Sequence, residues 1–161
     1  MEILLLATGG TFDKEYNEIT EKLVFKETHI PQMLKLGRCR LDINLRTVML
    51  IDSLNITEED TRLILETCRK AKEERIVITH GTSNMEKTAK TLGDTIKNKT
   101  VVLTGAMSPY AFGSSDGMFN MGCALAFVQA LPHGTYVAMN GKYFASDNVR
   151  KNTKTGDFEP I

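Results

Sequence analysis

The chain predicts an α/β domain: a mostly parallel, doubly wound sheet, Rossmann- or flavodoxin-like, covered by helices in three layers. Three observations predict it. Short apolar runs recur along the whole chain, at 2–7, 45–51, 75–79, 100–104 and 135–140. Such continuous apolar character marks parallel strands buried on both faces. Segments with helical spacing alternate with most of these runs, which is the pattern of βαβ units. Finally, the runs stop in clusters of Gly, Thr, Ser, Asn or Asp, the residues that turn the chain at a strand exit.

Glu2-Ile3-Leu4-Leu5-Leu6-Ala7 is the first strand, ending in Thr8-Gly9-Gly10-Thr11. Phe12 to Lys26 is polar and without period, a loop with room for a short hairpin, and 28–36 suits a short helix around Pro31. Leu45 to Ile51 is the second strand and leaves through Asp52-Ser53-Leu54-Asn55. Thr57 then caps a helix with acids in its first turn, where they suit the helix dipole. Its apolar stripe is Leu63, Ile64, Thr67 and Cys68. Arg75 to Thr79 is the third strand, running into His80-Gly81-Thr82-Ser83-Asn84 and a helix over about 85–97 with Met85, Ala89 and Leu92 on one face. The fourth strand, 100–104, leaves through Gly105-Ala106-Met107-Ser108-Pro109. After a loop at 110–115, Asp116 is placed to cap an apolar helix that runs to about Leu131. The fifth strand is 135–140 and an edge strand occupies 143–145, with a polar, irregular tail from Asn148 to Ile161.

At 161 residues, 42% hydrophobic and 25% charged, the chain makes one folded domain spanning 1–161. Its 20 basic and 20 acidic residues balance, so there is no electrostatic footprint for nucleic acid or an anionic membrane. The first apolar run, about five residues behind Glu2, is too short for a signal sequence or a membrane span. Cys39, Cys68 and Cys123 form neither CxxC nor metal-ligand spacing, and an odd count without a leader suits a reducing cytoplasm.

In an open parallel sheet the strand exits lie along one edge, so Thr11, Ser53, Thr82 and Ser83 can converge there and form a ligand site. Each also has an ordinary structural reading. Lone threonines at strand exits are usually turn or cap residues, His80 suits a buried core position, and Asp116 is most simply a cap. Lys151, between Arg150 and Asn152, has the setting of a solvated tail lysine. Tyr16 would anchor its own loop, and Met118, Phe119 and Met121 suit a core or an interface. Gly9-Gly10-Thr11 lacks the spacing of either phosphate-binding glycine motif, which disfavours a nucleotide-binding or receiver-type domain.

Ala7-Thr8-Gly9-Gly10-Thr11 resembles the first signature of the bacterial-type L-asparaginases and glutaminases, and Thr79-His80-Gly81-Thr82-Ser83-Asn84-Met85-Glu86 their second. Val101 to Pro109, Ser115 to Asn120 and Asp147 to Thr153 are similar to family segments in the same order, the last being the stretch that carries the family's lysine. The likeness extends over essentially the whole chain and matches the N-terminal domain of a two-domain enzyme. The short spacing from Thr11 to Tyr16 looks like the short-chain, single-domain branch.

The resemblance implies hydrolysis of the side-chain amide of L-asparagine, with some glutaminase activity, through an acyl-threonine and without a cofactor. Carried over by position, Thr11 is the first nucleophile and Tyr16 its partner on the loop. Thr82 and Lys151 form a second hydroxyl–amine pair. Ser53 holds the substrate's α-carboxylate, and Gly10, Ser83 and Ala106 line the substrate. A threonine hydroxyl needs a neighbour to take its proton, and Lys151 does so only as the neutral amine, which a desolvated setting favours. Backbone N–H groups near Thr11 and Thr82 are placed to stabilise a tetrahedral oxyanion, typically by a few kcal/mol. Two departures stand out. Ser83 occupies the place of the aspartate that pairs with the substrate's α-ammonium, and losing such a charged partner costs about 1.5–3 kcal/mol. Asp52, beside Ser53, is expected to replace it in part. Leu54 stands where the long enzymes carry a polar residue. In the long enzymes a second domain closes the site; here the expectation is either a more open site or one closed by a homo-oligomer contact, with helix 117–131 as a candidate face that equally suits core packing. The competing reading on the same fold is a small amino-acid-binding module without catalysis.

Overall fold

The computed structural model describes residues 1–161. The chain runs β1 (Glu2–Gly9), β2 (Glu15–Asn17), β3 (Lys22–Val24), α1 (Ile30–Leu36), β4 (Asp42–Ile51) and α2 (Glu58–Lys70). It continues with β5 (Arg75–Thr79), α3 (Met85–Thr95), β6 (Thr100–Thr104), α4 (Gly117–Ala130) and β7 (Gly134–Met139), then β8 (Lys142–Ala145), β9 (Arg150–Lys151) and β10 (Phe158–Glu159). The central sheet has six strands in the order β4-β1-β5-β6-β7-β8. All neighbours pair in parallel except β8, which returns antiparallel along the edge of β7.

Because successive strand residues face opposite sides, β1 feeds two cores at once. Leu4 and Leu6 pack with Ile76, Ile78 and Leu103 beneath Ile64 and Cys68 of α2 and Ala89 and Leu92 of α3. Ile3, Leu5 and Ala7 pack with Val77 and Val102 against Ile30 and Met33 of α1 and Met121, Ala124 and Val128 of α4. The three-layer, doubly wound expectation therefore holds. The chain leaves β1 for β4 on one side and then crosses to β5 on the other, so the direction of winding reverses between β1 and β5. Open α/β sheets bind ligands beyond the carboxyl ends of strands at such a reversal.

Thr57 caps α2 through a reciprocal pair with Asp60, as its sequence suggests. Leu63, however, is 50% exposed; Ile64 and Cys68 carry the buried face. The loop after Thr11 contains the β2–β3 hairpin. The tail is not irregular: β9 and β10 form an antiparallel ribbon, and Val149 and Phe158 sink into the core beside α3. Two buried side chains are enough to hold a segment with no hydrophobic period. Helix α4 buries one face and leaves Phe119 outside, while Phe127 meets Tyr143 edge-on at 5.1 Å. No helix is long and apolar enough to cross a membrane.

Candidate active site

The reversal between β1 and β5 is built from glycines. Gly10 has φ +75°, a left-handed conformation that glycine tolerates without cost. A Cβ placed on it would lie 2.3 Å from the Cα of Gly81. A Cβ on Gly81 would in turn lie 2.4 Å from both Cβ and Oγ of Ser53. The exits of β1, β5 and β4 are thus in direct contact, and side chains distant in sequence meet at one edge. Thr11 follows immediately, half-buried at the start of a 3₁₀ turn. Phe12, fully buried, pins that turn into the α1–α4 core.

Thr82 and Lys151, 69 residues apart, are joined: Nζ of Lys151 donates to Oγ1 of Thr82 at 2.8 Å. The lysine is held from behind as well, since its backbone N–H donates to Oε2 of Glu86 at 2.8 Å. Lys151 also pairs with Phe158 across the β9–β10 ribbon. The solvated-tail reading of Lys151 is therefore overturned; burial of Phe158 and Val149 carries the lysine inward to the exit of β5.

Ser53, only 3% exposed, knits β4 to β5. Its Oγ accepts the Ser83 N–H at 3.3 Å and its carbonyl accepts Nδ2 of Asn84 at 2.6 Å. Its own hydroxyl proton remains available to a ligand. Asp52 caps the short 3₁₀ turn that follows, accepting the Leu54 N–H at 3.0 Å. It also takes an ion pair from Lys14, which holds its carboxyl below the usual aspartate range. Ser83 and Leu54 are exposed at the rim.

The exit of β6 is fixed by a network the sequence did not reveal. Asp116 occupies the cap position of α4, yet its carboxylate serves another segment, accepting the N–H groups of Met107 and Ser108 at 3.0 and 3.1 Å. Asn120, fully buried, donates to Asp116 and to the Gly105 carbonyl and accepts the Asn140 N–H. Ala106 is buried, with its methyl turned to the core, so it can offer a ligand only its backbone. His80 is sealed below the site. Because a carbonyl can only accept, Nδ1 must carry the proton it gives to Gly81 O at 2.7 Å, and Nε2 accepts the Thr88 hydroxyl at 3.0 Å. Burial lowers its pKa, so it stays neutral.

The structure thus gathers Gly10, Ser53, Thr82, Ser83 and Lys151 at one edge, with Thr11 at its lip and Asp52 beside Ser53. Tyr16 stands on β2, 55% exposed and outside this hydrogen-bonded cluster. Glu86, Lys14 and Asn120 complete the setting. A capping pattern before α3 brings Glu86 to notice, but Lys14 and Asn120 carry no local signal.

Fold and site together define an open α/β domain with a hydroxyl–amine pair at its winding reversal. Residues 2–159 match the family model described as "Asparaginase, N-terminal", and the chain belongs to that family. It is 34% identical over 156 residues to an L-asparaginase of Thermococcus kodakarensis, covering 94% of this chain and 48% of that protein. It is 28% identical over 162 residues to a glutaminase-asparaginase of Acinetobacter glutaminasificans. The solved structure of the Thermococcus enzyme superposes with a TM-score of 0.88 at 32% identity, covering 100% of this chain and 51% of that one. A probable cytoplasmic L-asparaginase from Campylobacter jejuni superposes with a TM-score of 0.80 at 35% identity, covering 98% and 52%. The chain spans about half the length of these relatives.

Proposed function

We propose that this chain is an amidohydrolase that cleaves the side-chain carboxamide of L-asparagine, giving L-aspartate and ammonia. The observation that carries the reading is the 2.8 Å contact between Lys151 Nζ and Thr82 Oγ1. As a neutral amine, Lys151 reverses that bond and draws the hydroxyl proton to itself, which is the activation a threonine needs. Relatives described as asparaginases and glutaminase-asparaginases support an amide as the bond broken.

In this scheme Thr11 attacks the carboxamide carbon and the Lys151–Thr82 pair takes up its proton. The tetrahedral adduct collapses as that proton passes to the leaving nitrogen, releasing ammonia and leaving an acyl-threonine. Water, deprotonated by the same pair, then attacks the ester and frees the acid. The Ser53 hydroxyl donates to the substrate's α-carboxylate, and backbone N–H groups at the glycine-rich exits face the developing oxyanion. Positioned proton transfer of this kind contributes about 10²–10⁴-fold.

Ammonia release from L-asparagine tests the scheme. Thr11→Ala abolishes turnover, and Thr82→Ala and Lys151→Met each lower kcat by at least about 100-fold without loss of fold. Full activity in Lys151→Met contradicts it. Substrate binding without ammonia release in the unaltered protein favours the binding-module reading instead.

A further inference from the structure

We propose that Lys14 is a specificity-determining residue: by holding Asp52 it turns the site toward a dicarboxylic acid monoamide without an amino group, in preference to L-asparagine. The inference rests on the amidohydrolase reading and names the substrate class of that same site.

L-Asparagine presents three groups to be recognised: the carboxamide, the α-carboxylate and the α-ammonium. The hydroxyl–amine pair serves the first, and the unused Ser53 proton serves the second. An ammonium needs a carboxylate, and each of the other acids near this edge already accepts a bond from the protein, while Asp52, beside Ser53, is held by a lysine. Glu86 holds the Lys151 N–H, and Asp116 holds the Met107 and Ser108 N–H groups together with Asn120. Asp13 is 0% exposed and accepts the Thr28 hydroxyl and the His29 N–H. Glu15 faces Lys26 and His29 on the hairpin. The residue after Thr82 is Ser83, whose side chain carries no charge.

Asp52 alone stands at the meeting strand exits, next to Ser53, and the ammonium of Lys14 already occupies it. Lys14 lies three residues after Thr11, so the pair ties the nucleophile's own turn to the exit of β4. The side chains are 18% and 29% exposed, which screens the pair less than an ion pair on open surface. An incoming α-ammonium must therefore displace Lys14 from Asp52 or stand as a second cation beside it. A monoamide that carries only a carboxylate meets neither obstacle.

The test compares kcat/KM for ammonia release from succinamate, which is asparagine without its amino group, and from L-asparagine. The unaltered protein favours succinamate by more than tenfold. Lys14→Met, which frees Asp52, lowers that ratio at least tenfold, chiefly through a smaller KM for L-asparagine. Adding Asp52→Asn to Lys14→Met restores the original preference. A preference for L-asparagine in the unaltered protein, or a ratio that folded Lys14→Met leaves in place, overturns the proposal. Calorimetry with succinate and L-aspartate separates it from the amidohydrolase reading. Tighter binding of succinate, reversed in Lys14→Met, supports Lys14 as the selector even where neither amide is turned over, and that result sinks only the hydrolase. Equal binding, or binding of neither acid, overturns the selector.

Discussion

Replacing Gly81 with alanine inserts one methyl group where three strand exits touch. Its Cβ would sit 2.4 Å from both Cβ and Oγ of Ser53 and 3.1 Å from the Ser53 nitrogen. Carbon atoms rest at about 3.5–4.0 Å, so the overlap exceeds about 1 Å. Ser53 is 3% exposed and bonded to Ser83 and Asn84, so it cannot swing aside. Overpacking of this kind costs about 1–3 kcal/mol. In a domain of this size that corresponds to a fall of about 2–4 °C in Tm per kcal/mol. The clash is with a Cβ as well as an oxygen, which gives the experiment its discrimination. Ser53→Ala keeps the offending carbon and leaves Gly81→Ala unrelieved. Ser53→Gly removes it, so Gly81→Ala/Ser53→Gly is more stable than the sum of the single changes by about 1–3 kcal/mol. Urea and thermal melts of the four proteins read that coupling. Ammonia release stays low in the double variant, because the Ser53 hydroxyl is gone. Additive stabilities, or a Gly81→Ala protein as stable as its parent, would refute the contact between the exits of β4 and β5 on which the site is built.

Two further outcomes follow from the core. Phe158→Ala leaves a cavity beneath the β9–β10 ribbon; such truncations cost about 3–5 kcal/mol, and here the ribbon's release also lowers kcat at least tenfold by freeing Lys151. Phe158→Leu retains most of both, and a kcat unchanged in folded Phe158→Ala speaks against the ribbon as the lysine's anchor. His80 gives a pH dependence. Burial lowers its pKa in the folded protein, so below the ordinary value of 6.5 the unfolded chain gains a proton that the native state refuses. Stability accordingly falls as pH drops below 6.5, by up to about 1.4 kcal/mol per pH unit until the folded pKa is passed. Urea midpoints between pH 7 and 5 fall more steeply for the unaltered protein than for His80→Gln; parallel slopes contradict the assignment.

The parallel strands were legible because strands covered on both faces need an unbroken apolar run, and β1, β5 and β6 have one. The convergence of Thr11, Ser53 and Thr82 was legible for the same reason, since buried parallel strands place their exits along one edge. What stayed hidden depends on pairings between distant charges and on very short elements. The β9–β10 ribbon has two residues per strand and is placed by Phe158 and Val149, so no period announces it. Lys14 and Asp52 are 38 residues apart and meet only because Gly10 and Gly81 let β1 and β4 close around the exit of β5. Asp116 was read correctly as to place but not as to task, because cap position is local and the Met107 and Ser108 N–H groups it serves belong to another loop. The site is therefore defined as much by atoms that are missing as by those present. Without a Cβ at Gly10 and Gly81, backbone meets backbone, and the hydroxyls of Thr11, Ser53 and Thr82 are held by the rigid sheet. Lys151 reaches the Thr82 hydroxyl from a segment outside that sheet, anchored through Phe158 and Glu86. The position of the Lys151 amine beside Thr82 thus depends on how firmly a two-residue strand is docked, so the proposed proton transfer would respond first to changes in the ribbon.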